Sequence, residues 1–349
     1  MPKVIVTGGC GYIGSHTLVE LLAAGHHPVS IDDNSRSSER VLDGVERITG
    51  KRVKNCRVDL RNVTPTEAVF AENRDAIAVI HFAAFKTVPE SVAKPLLYYD
   101  NNINSLLNVL ACTEKYLIPC FIFSSSCAVY GNASELPVTE DTPFGEPECP
   151  YARTKQMGEH IIRDFARVNR TNSVSLRYFN PVGAHPSGEI GETPYGEPDN
   201  LVPGITRTAI GRLPELVVHG SDYDTRDGTC IRDYIHVSDI ARAHVLAIEY
   251  MSKTGDRGQG TGKAEVFNLG SGTGTTVLEA ISAFEGATGR KLSYRMGPRR
   301  AGDAAAVFSD NHKAETALGW RPERGIVDMM KTAWLWEQRI AERTGEGRG

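Results

Sequence analysis

The stretch Val4–Asp32, VIVTGGCGYIGSHTLVELLAAGHHPVSID, decides the fold. Val4, Ile5 and Val6 form a β-branched run that reads as a buried strand. Gly8, Gly11 and Gly14 follow at three-residue spacing, and Gly9, Gly11 and Gly14 also fit a G-x-G-x-x-G pattern. Ile13, Thr17, Leu18, Leu21 and Leu22 then recur at helical spacing, with Gly25 placed to end the helix. Val29–Ile31 is a second apolar step, and it runs into Asp32. The order is strand, glycine turn, helix, strand, acid.

Each part has a physical role. Glycines let the backbone turn tightly and approach a pyrophosphate, which the N–H groups at a helix N-terminus bind. An acid at the end of the second strand accepts hydrogen bonds from a ribose diol and repels a 2′-phosphate, so Asp32 favours NAD over NADP.

Strand-like and helix-like segments alternate onward, which predicts a doubly wound parallel α/β sheet covered on both faces. Arg52–Val58 reads as a third strand, ending at Asp59 and Leu60. Thr64 reads as the N-cap of a helix with Pro65 in its first turn. Ala76–Phe82 is a fourth strand, Leu96–Tyr116 a long helix, and Phe121–Phe123 a strand leading into Ser124–Ser126. Tyr151–Asn169 reads as a helix and Ser173–Phe179 as a sixth strand. In such sheets ligands lie beyond the carboxyl ends of the strands, where Gly8, Asp32, Asp59, Phe82 and Ser126 all fall.

After Asn180 the character changes. From Val182 to Asn200 the chain is rich in Gly, Pro and Glu, the mark of a binding loop or a domain edge. The reading is an NAD-binding Rossmann domain over 1–180, with a returning segment near 231–250, and a smaller mixed α/β substrate domain over 181–349. Ser252–Lys263 reads as a polar surface loop, and the tail from Thr344 as disordered.

Tyr151 and Lys155 are four residues apart on one helix face, so a phenol and an ammonium point into the same site. A phenol titrates near 10 and is a poor base at neutral pH, but a neighbouring ammonium and a nicotinamide cation both favour the phenolate. With Ser126 holding the substrate hydroxyl, this set removes a carbinol proton while a nicotinamide accepts the hydride.

Bulk properties fit such an enzyme. The chain has 349 residues, 40% of them hydrophobic and 23% charged, which is ordinary for a globular protein with a substantial core. A formal net charge of −4 offers no general attraction to nucleic acid or to anionic membranes. The seven cysteines form no CxxC pair, so neither a disulfide framework nor a metal site is expected. A strand beginning by residue 4 and the lack of a long apolar run point to a cytoplasmic protein.

TGGCGYIGSH (7–16), HFAAFKTVPES (81–91), YYDNN (98–102), FIFSSSCAVYG (121–131) and YARTK (151–155) resemble the extended short-chain dehydrogenase/reductase superfamily. RYFNPVGAHPSGEIGE (177–192), DNLVP (199–203), DGTCIRDYIHVSD (227–239) and PRRAGD (298–303) are similar to its UDP-glucose 4-epimerase family. The resemblance implies a tightly held NAD and reversible 4-epimerisation of UDP-glucose and UDP-galactose through a transient 4-keto sugar. It implies that Tyr151, Lys155 and Ser126 are catalytic. It places Gly8, Gly11, Tyr12, Ile13, Gly14, Asp32, Asp59, Leu60, Phe82, Ala83, Lys86, Asn101 and Tyr178 on NAD, together with Tyr151 and Lys155. Lys86, Ser126, Tyr151, Asn180, Asn200, Leu201, Val217, His219, Arg232, Arg300, Asp303 and Val307 would meet the UDP-sugar. Guanidinium groups at 232 and 300 suit a diphosphate, because each makes paired charge-assisted bonds to phosphate oxygens.

Departures from the family pattern are informative. Cys127 stands where alanine is usual and Cys10 where a small residue is usual; both read as packing thiols. His219 replaces an aromatic that stacks on uracil. Val307 replaces a tyrosine that fills the sugar pocket, which predicts activity on UDP-GlcNAc and UDP-GalNAc as well. The resemblance suggests a homodimer in which the two long helices, Leu96–Tyr116 and Tyr151–Asn169, pair with a second copy as a four-helix bundle. Cys127-Ala128 lacks the acid pair that a related 4,6-dehydratase needs, Asp32 disfavours an NADPH reductase, and retention of Tyr151 and Lys155 disfavours a non-catalytic sensor.

Overall fold

The computed structural model describes all residues except 195, 197–199, 255–261, 301, 302 and 345–349. The first half runs β1 (Lys3–Thr7), α1 (Tyr12–Ala23), β2 (His27–Ile31), α2 (Val41–Thr49), β3 (Asn55–Cys56), α3 (Val63–Glu72) and β4 (Ala76–His81). It continues with α4 (Val88–Ala93), α5 (Pro95–Tyr99), a π turn (Asp100–Asn104), α6 (Ser105–Lys115), β5 (Cys120–Ser126), α7 (Pro150–Val168) and β6 (Asn172–Tyr178). The second half holds β7 (Asn180–Val182), α8 (Leu201–Ala209), β8 (Leu216–His219), β9 (Ile231–His236), α9 (Val237–Thr254) and β10 (Ala264–Leu269). After them come β11 (Gly274–Thr276), α10 (Val277–Thr288), β12 (Tyr294–Gly297), β13 (Ala306–Val307), α11 (His312–Leu318) and α12 (Ile326–Thr344).

Seven parallel strands form the main sheet in the order β10-β6-β5-β4-β1-β2-β3. Chain order reverses between β1 and β4, so the crevice at the switch point opens at the end of β1, beside the glycine turn. Val4, Ile5, Val6, Val79, Ile80, Phe121 and Ile122 are all fully buried, as strands covered on both faces require.

Local signals place several boundaries. Gly25 takes a left-handed φ of +81° just past α1, which ends the helix as the sequence implies. In α10, Thr276 and Glu279 form a reciprocal capping box, and Gly289 closes the far end at φ +69°.

Three expectations change. The third strand is only Asn55–Cys56, because it lies at the sheet edge with β2 as its single neighbour. Asn62, not Thr64, is the cap of α3; Pro65 falls third in the helix, where its missing N–H breaks no intrahelical bond. Besides the returning segment expected near 231–250, the strand β10 comes back to the first sheet. Helix α9 packs on α1, and β10 extends the sheet beside β6 in parallel register from Ala264 with Ser173 to Leu269 with Tyr178.

The remaining strands make a small sheet of β7, β9, β11 and β13 and a two-stranded ribbon, β8 with β12. With α8, α10 and α12 they enclose a second core around Val202, Ile205, Phe284, Met330 and Trp334. The expected polar loop and the C-terminal tail fall mostly outside the described residues. Among the described residues no helix is long and apolar enough to cross a membrane.

Candidate active site

The glycine turn is closely built. Gly8 has φ +70°, and a Cβ there would stand 2.9 Å from the Ala83 nitrogen. A Cβ at Gly14 would stand 2.2 Å from the Gly8 carbonyl oxygen, so the helix and the turn touch through backbone alone. Helix α1 begins at Tyr12 behind an extended Gly11, and no side chain caps it. Its first N–H groups, from Tyr12 and Ile13 onward, are thus presented as a helix presents them to an anion.

Asp32 stands across this turn. Its Oδ2 accepts the Cys10 N–H at 3.0 Å, and its Oδ1 accepts the Asn34 N–H and the Ser37 hydroxyl at 3.0 and 2.7 Å. Burial pushes its carboxyl up, against the pull of these bonds. Asp59, by contrast, is held below the usual carboxylate range by the Arg61 guanidinium, which also reaches Asp100. The Leu60 side chain is buried in the core. Phe82 packs on His244 at 4.7 Å, and the Ala83 N–H donates to the Thr7 hydroxyl at 3.3 Å. Asn101 donates to Asn102 Oδ1 in the π turn, and the Tyr178 hydroxyl pairs with His244 Nε2 at 2.6 Å.

The reactive trio lies where β5 ends and α7 begins. The Ser126 side chain is near enough to the Tyr151 phenol to favour its ionised form, and the Ser126 Oγ accepts the Ala128 N–H at 3.2 Å. One turn further along α7, Lys155 is 4% exposed and its Nζ donates to the Ser124 carbonyl at 2.5 Å. That ammonium lies 5.8 Å from the Tyr151 ring centroid and 4.9 Å from that of Phe123.

Burial dominates the electrostatics of this pair. Burial pushes the Tyr151 phenol well up, and the neighbouring Ser126 side chain opposes it only in part. The same burial pulls Lys155 down to about 7, against the raising field of Glu159. A lysine in this position is turned toward a carbonyl and is itself costly to charge, so it does not by itself make Tyr151 a base. Burial also raises Cys127 and Cys10 to about 12, which keeps both as packing thiols.

On the other wall, small-sheet pairing gathers the remaining side chains. Val307 on β13 is opposite Arg232 on β9, and Asn180 on β7 is opposite Tyr234. Arg232 bonds the Ala304 carbonyl at 2.8 Å and Asp303 at 3.2 Å. Asn180 Oδ1 is buried with no hydrogen-bond partner, a cost that a ligand donor would remove. Val217 and His219 lie on β8, and His219 Nδ1 is 3.2 Å from the Pro298 carbonyl just past β12, near Arg300 in the sequence. Asn200 precedes α8, which Leu201 opens. Val307 is buried in a small apolar cluster with Val129, Tyr130, Val138 and Phe179.

Two features went unread in the sequence. Glu159 and Arg177 form an ion pair that is almost fully buried, with 2.9 and 2.7 Å contacts, and Ser125 donates to the same carboxylate. Arg177 also bonds the Tyr130 hydroxyl at 2.8 Å. Glu159 is four residues past Lys155, so helical spacing alone would have placed it behind the trio. Glu192 has no such signal, because it lies in the aperiodic excursion after β7. Its Oε1 accepts Lys86 Nζ at 3.0 Å and Asn200 Nδ2 at 3.1 Å.

A doubly wound sheet with a glycine turn, an acid across that turn and a Ser-Tyr-Lys cluster defines an extended short-chain dehydrogenase/reductase. The family model described as GDP-mannose 4,6 dehydratase matches residues 5–333. UDP-glucose 4-epimerase of Bacillus subtilis is 47% identical over 96% of this chain and 96% of its own. The crystal structure of UDP-glucose-4-epimerase from Stenotrophomonas maltophila, with bound NAD and formylated UDP-arabinopyranose, aligns with a TM-score of 0.94 and 41% identity, covering 98% of this chain and 100% of that one. That of the Bifidobacterium longum UDP-glucose 4-epimerase, in complex with NAD+ and UDP, aligns at 0.91 and 46%, covering 99% and 100%. The chain belongs to the UDP-glucose 4-epimerase family.

Proposed function

We propose that this protein interconverts UDP-glucose and UDP-galactose by reversible 4-epimerisation through a transient 4-keto sugar, with NAD held throughout. The observation that carries the reading is the buried Lys155, whose Nζ bonds the Ser124 carbonyl near the end of β5 and lies 5.8 Å from the Tyr151 ring, with Ser126 beside the phenol. The residues fit NAD: the turn leaves no room for a Cβ at Gly8 or Gly14, α1 is uncapped, and Asp32 stands across the turn, where it would meet the ribose. Gly8, Gly11, Tyr12, Ile13 and Gly14 would hold the pyrophosphate side, with Asp32, Asp59, Leu60, Phe82, Ala83, Lys86, Asn101 and Tyr178 along the rest. NAD, when bound, supplies the hydride acceptor and donor.

The protein's own groups handle protons and position. Ser126 orients the sugar 4-hydroxyl, and Tyr151 takes its proton and returns it after the sugar has turned. Because burial alone holds the phenol protonated, the base form depends on positive charge brought to the cleft together with Lys155. Arg232 and Arg300 would bind the diphosphate, Asn180 and Asn200 the sugar nucleotide, and Val217 and His219 the uracil side, with Leu201 and Asp303 beside them. Cys127-Ala128 cannot move the extra protons of a 4,6-dehydratase, the next reading in line.

The same reading extends to UDP-GlcNAc and UDP-GalNAc, since Val307 leaves more volume than a tyrosine in its place. It takes residues 1–180 and the returning α9 as the NAD-binding unit, and the rest mainly as the UDP-sugar unit. It also takes the protein as a cytoplasmic homodimer. Val88, Val92 and Leu96 on α4 and α5, Leu107 on α6 and Met157 on α7 are exposed apolar side chains, which a partner's helices would cover.

Tyr151→Phe tests the assignment. Turnover should fall by about 10³-fold or more while UDP binding is kept; unchanged turnover would overturn it.

A further inference from the structure

We propose that Glu192 is a positioning residue that sets Lys86 on the cofactor side and Asn200 on the sugar-nucleotide side in one register, and so helps keep NAD in place. The inference rests on the reading of the cleft just given. The segment from Gly183 to Glu192 crosses from the small sheet over the start of α1. It is tied at its near end by the Tyr12 hydroxyl, which donates to the Gly183 carbonyl at 2.6 Å. In the middle, Arg47 and Arg343 both donate to Glu189 Oε2, at 2.5 and 2.6 Å.

At the far end the backbone is pressed against α12. A Cβ at Gly191 would stand 2.4 Å from the Trp336 ring, and the Trp336 N–H donates to the Glu192 carbonyl at 2.8 Å. The Glu192 side chain is therefore aimed inward from a fixed main chain, and it is only 11% exposed.

A single carboxylate oxygen then receives two donors from two lobes. Lys86 follows β4 of the main sheet, and Asn200 immediately precedes α8 beside the second core. Lys86 itself is 60% exposed, so its ion pair alone would be worth little. The buried acceptor with a second, charge-assisted donor makes the junction specific. Tyr12, at the start of α1, lies in the field of the same carboxylate. Loosening the junction frees both the lysine over the cofactor and the end of the strap that covers it.

The test uses the holoenzyme as purified. NAD release during dilution and KM for UDP-galactose are measured for wild type, Glu192→Gln, Asn200→Ala and the double variant. Glu192→Gln should speed NAD release about tenfold and raise KM similarly, with kcat changed less than about threefold. Asn200→Ala should also speed release, although Asn200 faces the sugar nucleotide, and adding it to Glu192→Gln should change release no further. Wild-type NAD retention in both single variants, or effects that multiply in the double variant, would overturn the proposal. A wild-type protein that carries no NAD and turns over no UDP-galactose would instead overturn the functional reading beneath it. Should Glu192→Gln fail to fold, Asn200→Ala alone decides: release at the wild-type rate overturns the inference.

Discussion

Lys155 donates to the carbonyl oxygen of Ser124 at 2.5 Å, although its helix brings it within one turn of Tyr151. The strand end that carries Ser126 and the helix that carries Tyr151 are thus joined by a buried ammonium. This joint fixes the serine and the phenol relative to one another, and it places a titrating cation in the cleft.

That cation gives stability a pH dependence. Burial lowers Lys155 to about 7 in the folded protein, whereas an unfolded lysine titrates near 10.4. Between those values the unfolded chain binds more protons, so stability rises with pH through the window, and the penalty is complete below about 7. Lys155→Met removes it. Its stability relative to wild type should be higher at pH 6 than at pH 10, by on the order of 3 kcal/mol, in urea unfolding at the two pH values. A gap that does not change with pH would show that the lysine is not held down by burial.

The Glu159–Arg177 pair is the structural support behind the trio. Arg177→Met leaves an uncompensated carboxylate in a dry site and should cost about 3–5 kcal/mol. Glu159→Gln combined with Arg177→Met removes both charges, and it should recover much of that loss. Urea midpoints of the three proteins check this.

Asp32 should govern cofactor choice. Replacing it with serine removes the carboxylate that accepts from Cys10 and Ser37 and that opposes a 2′-phosphate. The ratio of NADP to NAD affinity should then rise about tenfold or more, since like charges brought together cost several kcal/mol. Competition binding with the two dinucleotides measures it.

Legibility in the sequence followed the range of the interactions. The glycine turn, Asp32, Tyr151 and Lys155 were readable because each depends on spacing within one turn, strand or helix. The third strand was overread, because its length depends on having one sheet neighbour and not on its own residues. The destination of β10 was missed because parallel pairing with β6 joins segments about ninety residues apart, which no periodicity encodes. Glu192 was missed for the same reason: its partners at 86 and 200 come from different lobes. The extent of burial at Tyr151 also needed three dimensions, because it is set by the whole cleft.

Val307 should set the breadth of sugar use. The wild type should convert UDP-GlcNAc as well as UDP-galactose. Val307→Tyr should lose the N-acetyl activity by about 100-fold while keeping UDP-galactose turnover, at a packing cost of about 1–3 kcal/mol against Val129, Tyr130, Val138 and Phe179. Equal losses on both substrates would assign Val307 to packing alone.

The most direct measurement is an assay of the protein as purified, with no NAD added, against UDP-galactose. Formation of UDP-glucose at a rate that added NAD does not raise is the predicted result, since the cofactor is held and returned to its starting state in each cycle. No conversion with or without added NAD would contradict the central claim.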